Sequence, residues 1–318
     1  MNNIQSSQSH VSENSLYHYT SQTGFKGIVE SKTIWATNIL YLNDSAEFIH
    51  AVNTTRNGFD AIYDEVSVSK QEKPFLEKIY EHLNEFETNR GIGIFVSSFS
   101  RNKDKLSQWR GYCPNGDGYC VRFDFNQEVL NRVRRNGFEL VECVYADDDD
   151  SPNLVLEFLE SALKVFRETY NDKEIPNNKI EVAFEKFGFE KEFLKIATRL
   201  KHIAFKEEEE WRLVSAPMWL NESQVKYRPG KSMLIPYVEI CLKDDDNLLN
   251  IPEVWVGPTP HPNLAQNSAY NFLISNEVYA YKNQIKESFP SWDDDDDDYG
   301  DQRDYPRVHK SKAPYRIW

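Results

Sequence analysis

The stretch Ile92–Phe125, IGIFVSSFSRNKDKLSQWRGYCPNGDGYCVRFDF, decides the fold class of this chain. It begins with a mostly apolar β-type run and ends with a second one, Tyr119–Phe125. In the second run Val121 and Phe123 alternate with Arg122, which is typical of a strand with one buried face. A short basic helix or loop joins the two runs, and neither GxGxxG nor GxxxxGK[ST] follows a strand. The stretch therefore does not indicate a regular βαβ unit.

The rest of the chain continues this mixture of strands and helices without regular alternation. It predicts an α+β fold with a mostly antiparallel β-sheet flanked by helices, in a single domain over residues 14–288. Residues 1–13 are predicted to be a flexible tail, and residues 289–318 an Asp-rich tail without periodicity. Further strands are predicted at 16–20, 33–37, 138–145, 208–215, 233–242, 254–256 and 278–281, and helices at 23–29, 44–59, 72–88 and 262–274, with two long helices over 152–204.

The charge of the chain is concentrated in a few segments. The 318 residues carry a formal net charge of −14, but the runs Asp147–Asp150, Asp244–Asp246 and Asp293–Asp298 hold four, three and six aspartates. Without these runs the formal net charge would be −1. With 40% hydrophobic residues the chain is not a disordered polyelectrolyte, and its near-neutral body does not exclude a nucleic-acid partner.

Other classes of protein are disfavoured by what the sequence lacks. No run approaches 18 apolar residues, and the polar N-terminus has no apolar signal region, so we expect a cytoplasmic protein without membrane contact. The four cysteines form no CxxC pair and fit neither a disulfide framework nor a zinc site. No metal is expected.

The densest candidate for chemistry is FKEEEEWRLV at residues 205–214. If residues 208–215 form a strand, Glu208, Glu210 and Arg212 share one face, because side chains alternate. If this face lines a cleft, one carboxylate would stabilise a positive charge that develops on the substrate, and the other would position a nucleophile. The alternative is a solvated strand edge or helix end with surplus acidic residues.

Weaker candidates lie elsewhere in the chain. His18 sits between two tyrosines and is most simply a structural residue, and Ser98 and Ser100 are most simply strand-end serines. Arg110 and Arg228 lie in basic, aromatic segments that would suit a phosphate, although both segments also read as surface turns.

Five segments together carry a family resemblance. LYHYTS, TIWATNILYLNDSAEF, SFSRNKDKLSQWRGYCPNGDGYCVRF, KHIAFKEEEEWRL and YRPGKSMLIPY occur in this order between residues 15 and 282. They resemble a large bacterial family catalogued as a domain of unknown function. That family is itself similar to the ADP-ribosyltransferase superfamily, which implies a split, mostly antiparallel sheet and NAD as co-substrate.

The resemblance also implies roles for individual residues. It implies that Glu210 is the catalytic carboxylate, and that Glu208 orients or deprotonates the acceptor. It also implies that NAD is bound by His18, Tyr19 and Thr20, with Tyr19 in place of the glycine of many relatives, and by Ser98, Ser100 or Tyr119 as the middle element. Apart from the resemblance, Arg110 or Arg228 is expected to bind the pyrophosphate of NAD.

The predicted function is an NAD-dependent ADP-ribosyltransferase that modifies a macromolecule. Single-stranded RNA is favoured as the acceptor over DNA or protein, and the resemblance implies a bacterial toxin or antiviral defence effector with an antitoxin or regulatory protein as partner. Two alternatives stay open. One is an NAD glycohydrolase that depletes NAD, and the other is a non-catalytic interaction or sensing domain.

Overall fold

A computed structural model describes residues 15–42, 45–63, 68–84, 91–113, 116, 118–147, 152–172, 178–281 and 303–314. The predicted tail over 1–13 and the run Asp293–Asp298 lie outside the described residues. The strands are β1 Ser15–Ser21, β2 Thr33–Asn38, β3 Ile92–Gly93, β4 Phe95–Ser100, β5 Gly118–Asp124, β6 Phe138–Glu142, β7 Val144–Ala146, β8 Leu200–His202, β9 Glu210–Ser215, β10 Met218–Trp219, β11 Lys226–Pro229, β12 Leu234–Cys241, β13 Leu249–Asn250, β14 Glu253–Val256, β15 Val278–Tyr281, β16 Arg303–Asp304 and β17 Arg307–Lys310. The helices are α1 Gln22–Ser31, α2 Ser45–Tyr63, α3 Lys73–Asn84, α4 Leu106–Tyr112, α5 Gln127–Arg135, α6 Asn153–Asn171, α7 Lys179–Phe187, α8 Phe189–Ala197 and α9 Pro262–Ser275.

The chain divides into two compact units that alternate along the sequence. Unit 1 comprises residues 1–34, 99–136 and 240–318, and unit 2 comprises residues 35–98 and 137–239. Both mix helices with mostly antiparallel strands, so the predicted α+β class is confirmed at that level. The boundary predicted for a single domain over 14–288 stays a prediction.

Unit 1 is built on β1 and β5, which pair antiparallel along their whole length from Ser15↔Asp124 to Ser21↔Gly118. β14 continues this sheet antiparallel to β5, and β17 pairs parallel with β14. Helix α1 begins after β1 because the Ser21 hydroxyl accepts the Gly24 N–H at 3.2 Å. Ser21 therefore caps this helix, and α1 begins at Gln22, one residue before the predicted start.

Unit 2 joins a sheet to a layer of helices. In the sheet β6 pairs antiparallel with β9, β9 also pairs with β4, and β4, β2, β12 and β11 follow in that order. The helices α2, α3, α6, α7 and α8 share one apolar core, in which Phe75, Leu159 and Phe193 are fully buried. β7 and β8 form a separate parallel pair.

The segment predicted as two long helices over 152–204 is organised differently. It contains α6, α7, α8 and strand β8. Gly188 separates α7 from α8 with a φ of 64°, a left-handed conformation that glycine adopts without a Cβ penalty. The sequence prediction was wrong here because one left-handed residue breaks a hydrophobic pattern that stays helical on both sides.

The predicted tail contains a strand that the sequence pattern did not indicate. β17 pairs with β14 over four residues, from Glu253↔Arg307 to Val256↔Lys310. His309 stacks on Trp255 with ring centroids 4.8 Å apart. β16 in the same segment pairs antiparallel with β15 over two residues. Strands of two and four residues are too short for a periodic hydrophobic signal.

Candidate functional site

The candidate site in unit 2 begins where β9 begins. Glu209 has a φ of 43° and ends a 3₁₀ helix over Ile203–Glu208, so the chain turns and Glu210 becomes the first residue of β9. Glu210 and Arg212 then lie on the same face of the strand. Arg212 Nε donates to Glu210 Oε1 at 2.7 Å, and Nη2 lies 3.2 Å from Oε2. The two side chains are 3% and 1% exposed, so this is a buried ion pair.

Lys201 on β8 brings further carboxylates to this pair. Its ammonium lies 2.5 Å from Glu210, 2.7 Å from Glu208 and 3.2 Å from Glu47. Arg212 Nη2 also donates to Glu47, at 2.8 Å. We call Glu47, Lys201, Glu208, Glu210 and Arg212 the carboxylate cluster. It places three acidic and two basic side chains in one small volume.

Backbone and side-chain groups complete the hydrogen bonding of the cluster. Arg212 Nη1 donates to the Thr198 carbonyl at 2.9 Å. The Glu210 N–H donates to the Tyr145 hydroxyl at 2.7 Å, and the Glu210 carbonyl accepts the Cys143 N–H at 3.0 Å. Burial raises the pKa of the Cys143 thiol to about 12, so this thiol is protonated beside the cluster. The arrangement satisfies the requirement that buried charges be both paired and hydrogen-bonded.

Glu208 and Glu210, which both bond Lys201, have pKa values shifted in opposite directions. Burial opposes ionisation of Glu210, but Arg212 and Lys201 outweigh it and lower the pKa to about 2. Burial raises the pKa of Glu208 and outweighs the lowering by Lys201, and the negative charges of Glu210 and Glu47 add smaller upward contributions. The Lys201 pKa is raised, because the surrounding carboxylates outweigh the cost of burial. Glu210 is thus a fixed negative charge, while Glu208 takes up a proton more readily than an ordinary glutamate.

The sequence prediction for this segment was partly wrong. Glu208 was expected on the same strand face as Glu210, but it ends the 3₁₀ helix. Glu208 nevertheless meets Glu210, because both bond the same ammonium. The face is also not an open cleft edge. The Glu208 side chain is 17% exposed and the Glu210 side chain only 3%.

Lys201 and Glu47 are members of the cluster that the sequence did not identify as functional. Lys201 begins the segment KHIAFKEEEEWRL, nine residues before Glu210. Glu47 lies on α2, more than 160 residues from Arg212 along the chain. The available signal was the position of Lys201 in an apolar stretch close to the run Glu207–Glu210. A buried lysine needs an acidic partner, so this position indicates an ion pair with that run.

The predicted NAD-binding residues His18, Tyr19 and Thr20 lie on β1 in unit 1. His18 is half-buried, with its ring 5.6 Å from that of Phe99. Tyr19 is 5% exposed, and its hydroxyl donates to the Asn102 carbonyl at 2.8 Å. Thr20 is half-buried and packs closely against Gly24 of α1. A Cβ at Gly24 would lie only 2.0 Å from the Thr20 hydroxyl oxygen, which shows how close this contact is. Tyr19 is therefore fixed in the core of unit 1.

The predicted middle elements are also distributed over separate strands. Ser98 on β4 is half-buried, whereas Ser100 is 2% exposed and its hydroxyl accepts the Asn102 N–H at 3.0 Å. Tyr119 on β5 is buried and stacks on Phe25 with ring centroids 4.4 Å apart. Ser98 is the more accessible of these three side chains.

The two arginines proposed for phosphate binding lie in different units. Arg110 is exposed on α4 of unit 1. Arg228 is half-buried on β11 of unit 2, with Nη2 3.4 Å from the Thr37 hydroxyl. Glu210 belongs to unit 2 and His18 to unit 1.

Two general properties of the described residues bear on function. Within them, no three His, Cys, Asp or Glu side chains are arranged as a metal site. Among the helices of the same residues, none combines the length and apolar character required to cross a bilayer.

Comparison with known proteins identifies one family. A family described as "Protein of unknown function (DUF2971)" matches residues 108–213, which run from α4 to β9 and include Lys201, Glu208, Glu210 and Arg212. No curated protein and no solved structure matches the chain. Over residues 108–213 the chain is therefore similar to a family of unknown function, as the sequence motifs predicted for a wider range.

Proposed function

We propose that this chain is an NAD-dependent ADP-ribosyltransferase that modifies a macromolecule, with RNA as the favoured acceptor. One observation carries the proposal. Glu208 and Glu210 bond one buried ammonium at 2.7 and 2.5 Å, and their pKa values are shifted in opposite directions. Two carboxyl groups whose environments separate their pKa values are typical of a site that needs both a fixed charge and a proton acceptor.

The proposed reaction uses the two carboxylates differently. The bond between nicotinamide and ribose breaks, and its electron pair leaves with nicotinamide, so positive charge develops on the ribose as in glycoside hydrolysis. The ionised Glu210 stabilises that charge. A nucleophile of the acceptor forms the new bond to the ribose, and Glu208 accepts its proton. Lys201 and Arg212 hold Glu210 ionised.

The burial of Glu210 sets a condition on this mechanism. Both of its carboxylate oxygens are bonded to Lys201 or Arg212, and its side chain is 3% exposed. The substrate must therefore approach from the side of Glu208, whose side chain is 17% exposed, and replace the Lys201 contact. Without that step the cluster remains a structural ion network. This burial favours the second candidate, a non-catalytic interaction domain.

The finer assignments belong to the same proposal. They include the ADP-ribosyltransferase-like split of the sheet, binding of NAD by His18 and its neighbours on β1, and a role as a bacterial toxin or defence effector. Their support is the order of the motifs along the chain, with His18 first, the Ser98–Ser100 segment next and Glu210 last.

The proposal is tested by following labelled NAD. The purified chain is incubated with NAD labelled on the adenine side and with RNA, DNA or lysate protein, and both nicotinamide release and polymer label are measured. We expect label on RNA. We expect the rate to fall on the order of 10²- to 10³-fold in Glu210→Gln and about 10²- to 10⁴-fold in Glu208→Gln.

A matched control is available next to these residues. Glu209→Gln removes an exposed carboxylate between the two and should keep the rate. Free ADP-ribose without polymer label would indicate the glycohydrolase. Absence of nicotinamide release with every acceptor, from folded protein, would contradict an enzymatic role and support the interaction domain. His18→Ala tests the role of unit 1 separately, since that role predicts a higher KM for NAD.

A further inference from the structure

One sheet face of unit 2 combines an exposed aromatic ring with unpaired positive charge. It is formed by β2, β12 and β11, which are neighbours in the sheet. The register Arg228↔Ile235 and Lys226↔Tyr237 places these four side chains on the same face. We call this surface the Trp35 face, and its residues are Trp35, Thr37, Lys226, Arg228, Ile235 and Tyr237.

Trp35 is the exposed aromatic ring of this face. Its side chain is 45% exposed although it lies on an interior strand. One side of the ring packs against Tyr237, with centroids 4.4 Å apart and planes tilted by 35°. Tyr237 is itself only 8% exposed. Trp35 is thus held in place by a buried aromatic ring while much of its surface contacts water.

Arg228 supplies a cation beside this ring. Its guanidinium carbon lies 6.0 Å from the centre of the Trp35 ring, and Nη2 reaches the Thr37 hydroxyl at 3.4 Å. Arg228 Nε is buried and has no hydrogen-bond partner. No carboxylate among the described residues pairs with this guanidinium. A positive group that is positioned but not neutralised is suited to binding an anion.

The sequence around Arg228 is basic in an otherwise acidic protein. Residues 225–235, VKYRPGKSMLI, contain Lys226, Arg228 and Lys231 and no acidic residue, whereas the whole chain has a formal net charge of −14. Lys231 is exposed, and Lys226 is partly neutralised by Glu239 at 2.8 Å. The charge of this hairpin is therefore complementary to a polyanion and opposite to that of the whole chain.

A tight turn fixes the hairpin that carries these charges. A Cβ on Gly230 would lie 2.8 Å from the Met233 carbonyl oxygen and 2.7 Å from Ile235 Cδ1. The Gly230 N–H donates to that carbonyl at 2.9 Å. Only glycine fits this close approach, so the turn holds β11 against β12 and keeps Arg228 in register.

We propose that the Trp35 face binds single-stranded nucleic acid. One base stacks on the exposed part of the Trp35 ring, and the adjoining phosphate is bound by Arg228, with Lys226 and Lys231 next along the strand. Stacking on an aromatic ring together with a cationic track is the common mode of binding for single strands. An unpaired base is required, because a base within a duplex does not expose its face to Trp35.

Direct binding measurements test this inference without NAD, so the result does not depend on the proposed transferase activity. Fluorescence anisotropy of labelled 12-nucleotide RNA and DNA strands is followed at several salt concentrations. Trp35→Ala should weaken binding about 5- to 100-fold. Arg228→Ala should weaken it and reduce the slope of log affinity against log salt by about 0.7, the value for one phosphate contact on a single strand.

Matched controls separate this surface from general charge and aromatic effects. Trp219→Ala removes a tryptophan that is 56% exposed but not part of the Trp35 face, and Arg134→Ala removes an exposed arginine of unit 1. Both should bind within about twofold of wild type. Trp35→Phe keeps an aromatic ring and should retain most of the affinity, which distinguishes lost stacking from lost folding. Preference for RNA over DNA, or the reverse, identifies the strand type.

Three results would overturn the inference. The first is the absence of binding to every single strand at low salt. The second is equal binding to duplex and single strands, and the third is equal loss of affinity in Trp35→Ala and Trp219→Ala.

Discussion

Replacing Lys201 by methionine tests whether the carboxylate cluster is held together by this one ammonium. The Lys201 side chain is 3% exposed and lies within 3.2 Å of three carboxylates. Methionine keeps most of the side-chain volume, so the change removes the charge rather than the packing. It leaves Glu47, Glu208 and Glu210 facing only Arg212.

The expected cost follows from the loss of one member of a buried ion network. Removing one partner of a buried pair typically costs about 3–5 kcal/mol. The three contacts do not add, because Glu208 can take up a proton once Lys201 is gone, and its pKa is already raised. We therefore expect a loss of about 3–5 kcal/mol at pH 7 and a smaller loss at pH 5.

Urea denaturation followed by circular dichroism and by tryptophan fluorescence measures this loss. Coincident transitions by the two probes show whether a two-state free energy applies to this two-unit chain. The control is Lys195→Met, which removes an exposed lysine 2.7 Å from Glu192 and should cost at most about 1 kcal/mol. A loss for Lys201→Met equal to that of the control, or one that is the same at pH 5 and pH 7, would refute the reasoning.

Three further predictions concern stability. The pKa of Glu210 falls from 4.5 to about 2 on folding. Its contribution to the free energy of unfolding is about 3 kcal/mol, is complete above pH 4.5 and is lost as the pH falls through about 2. Glu210→Gln should therefore remove this acid dependence of the urea midpoint. The pKa of Glu208 is raised on folding, so its ionised form costs stability above its unfolded pKa, and Glu208→Gln should be at least as stable as wild type in urea at pH 7. Gly58→Ala should lower the thermal midpoint, because its Cβ would lie 2.3 Å from Val155 Cγ1, whereas Gly27→Ala, also within a helix but with open space around it, should raise stability by about 0.5–1 kcal/mol.

The sequence predicted the strands of five or more residues because their signals are local. The apolar run that contains β4 and the alternation of β5 were both recognised from a few consecutive residues. The separation of α7 and α8 was not predicted, since it depends on one left-handed residue, Gly188. β17 was not predicted because a strand of four residues acquires its structure from pairing with β14.

The sequence predicted only the part of the candidate site that depends on neighbouring residues along the chain. Alternation along a strand places Glu210 beside Arg212, and this prediction needs only neighbouring residues. Glu47 and Lys201 reach the cluster through the packing of α2 and β8, which no local pattern encodes. Burial was also not predicted, since four consecutive glutamates indicate a solvated segment unless their partners are known.

The structure changes what the Glu208-x-Glu210 segment can do in a reaction. A carboxylate that stabilises a developing cation must remain ionised, and Glu210 meets this requirement because Arg212 and Lys201 lower its pKa to about 2. The same contacts bury it, so it cannot also exchange protons with an acceptor. Glu208 has the opposite properties, with a raised pKa and a more exposed side chain. In the proposed glycosyl transfer, the two requirements would therefore be divided between the two residues. Lys201, which bonds both, is the group whose movement would have to precede that reaction.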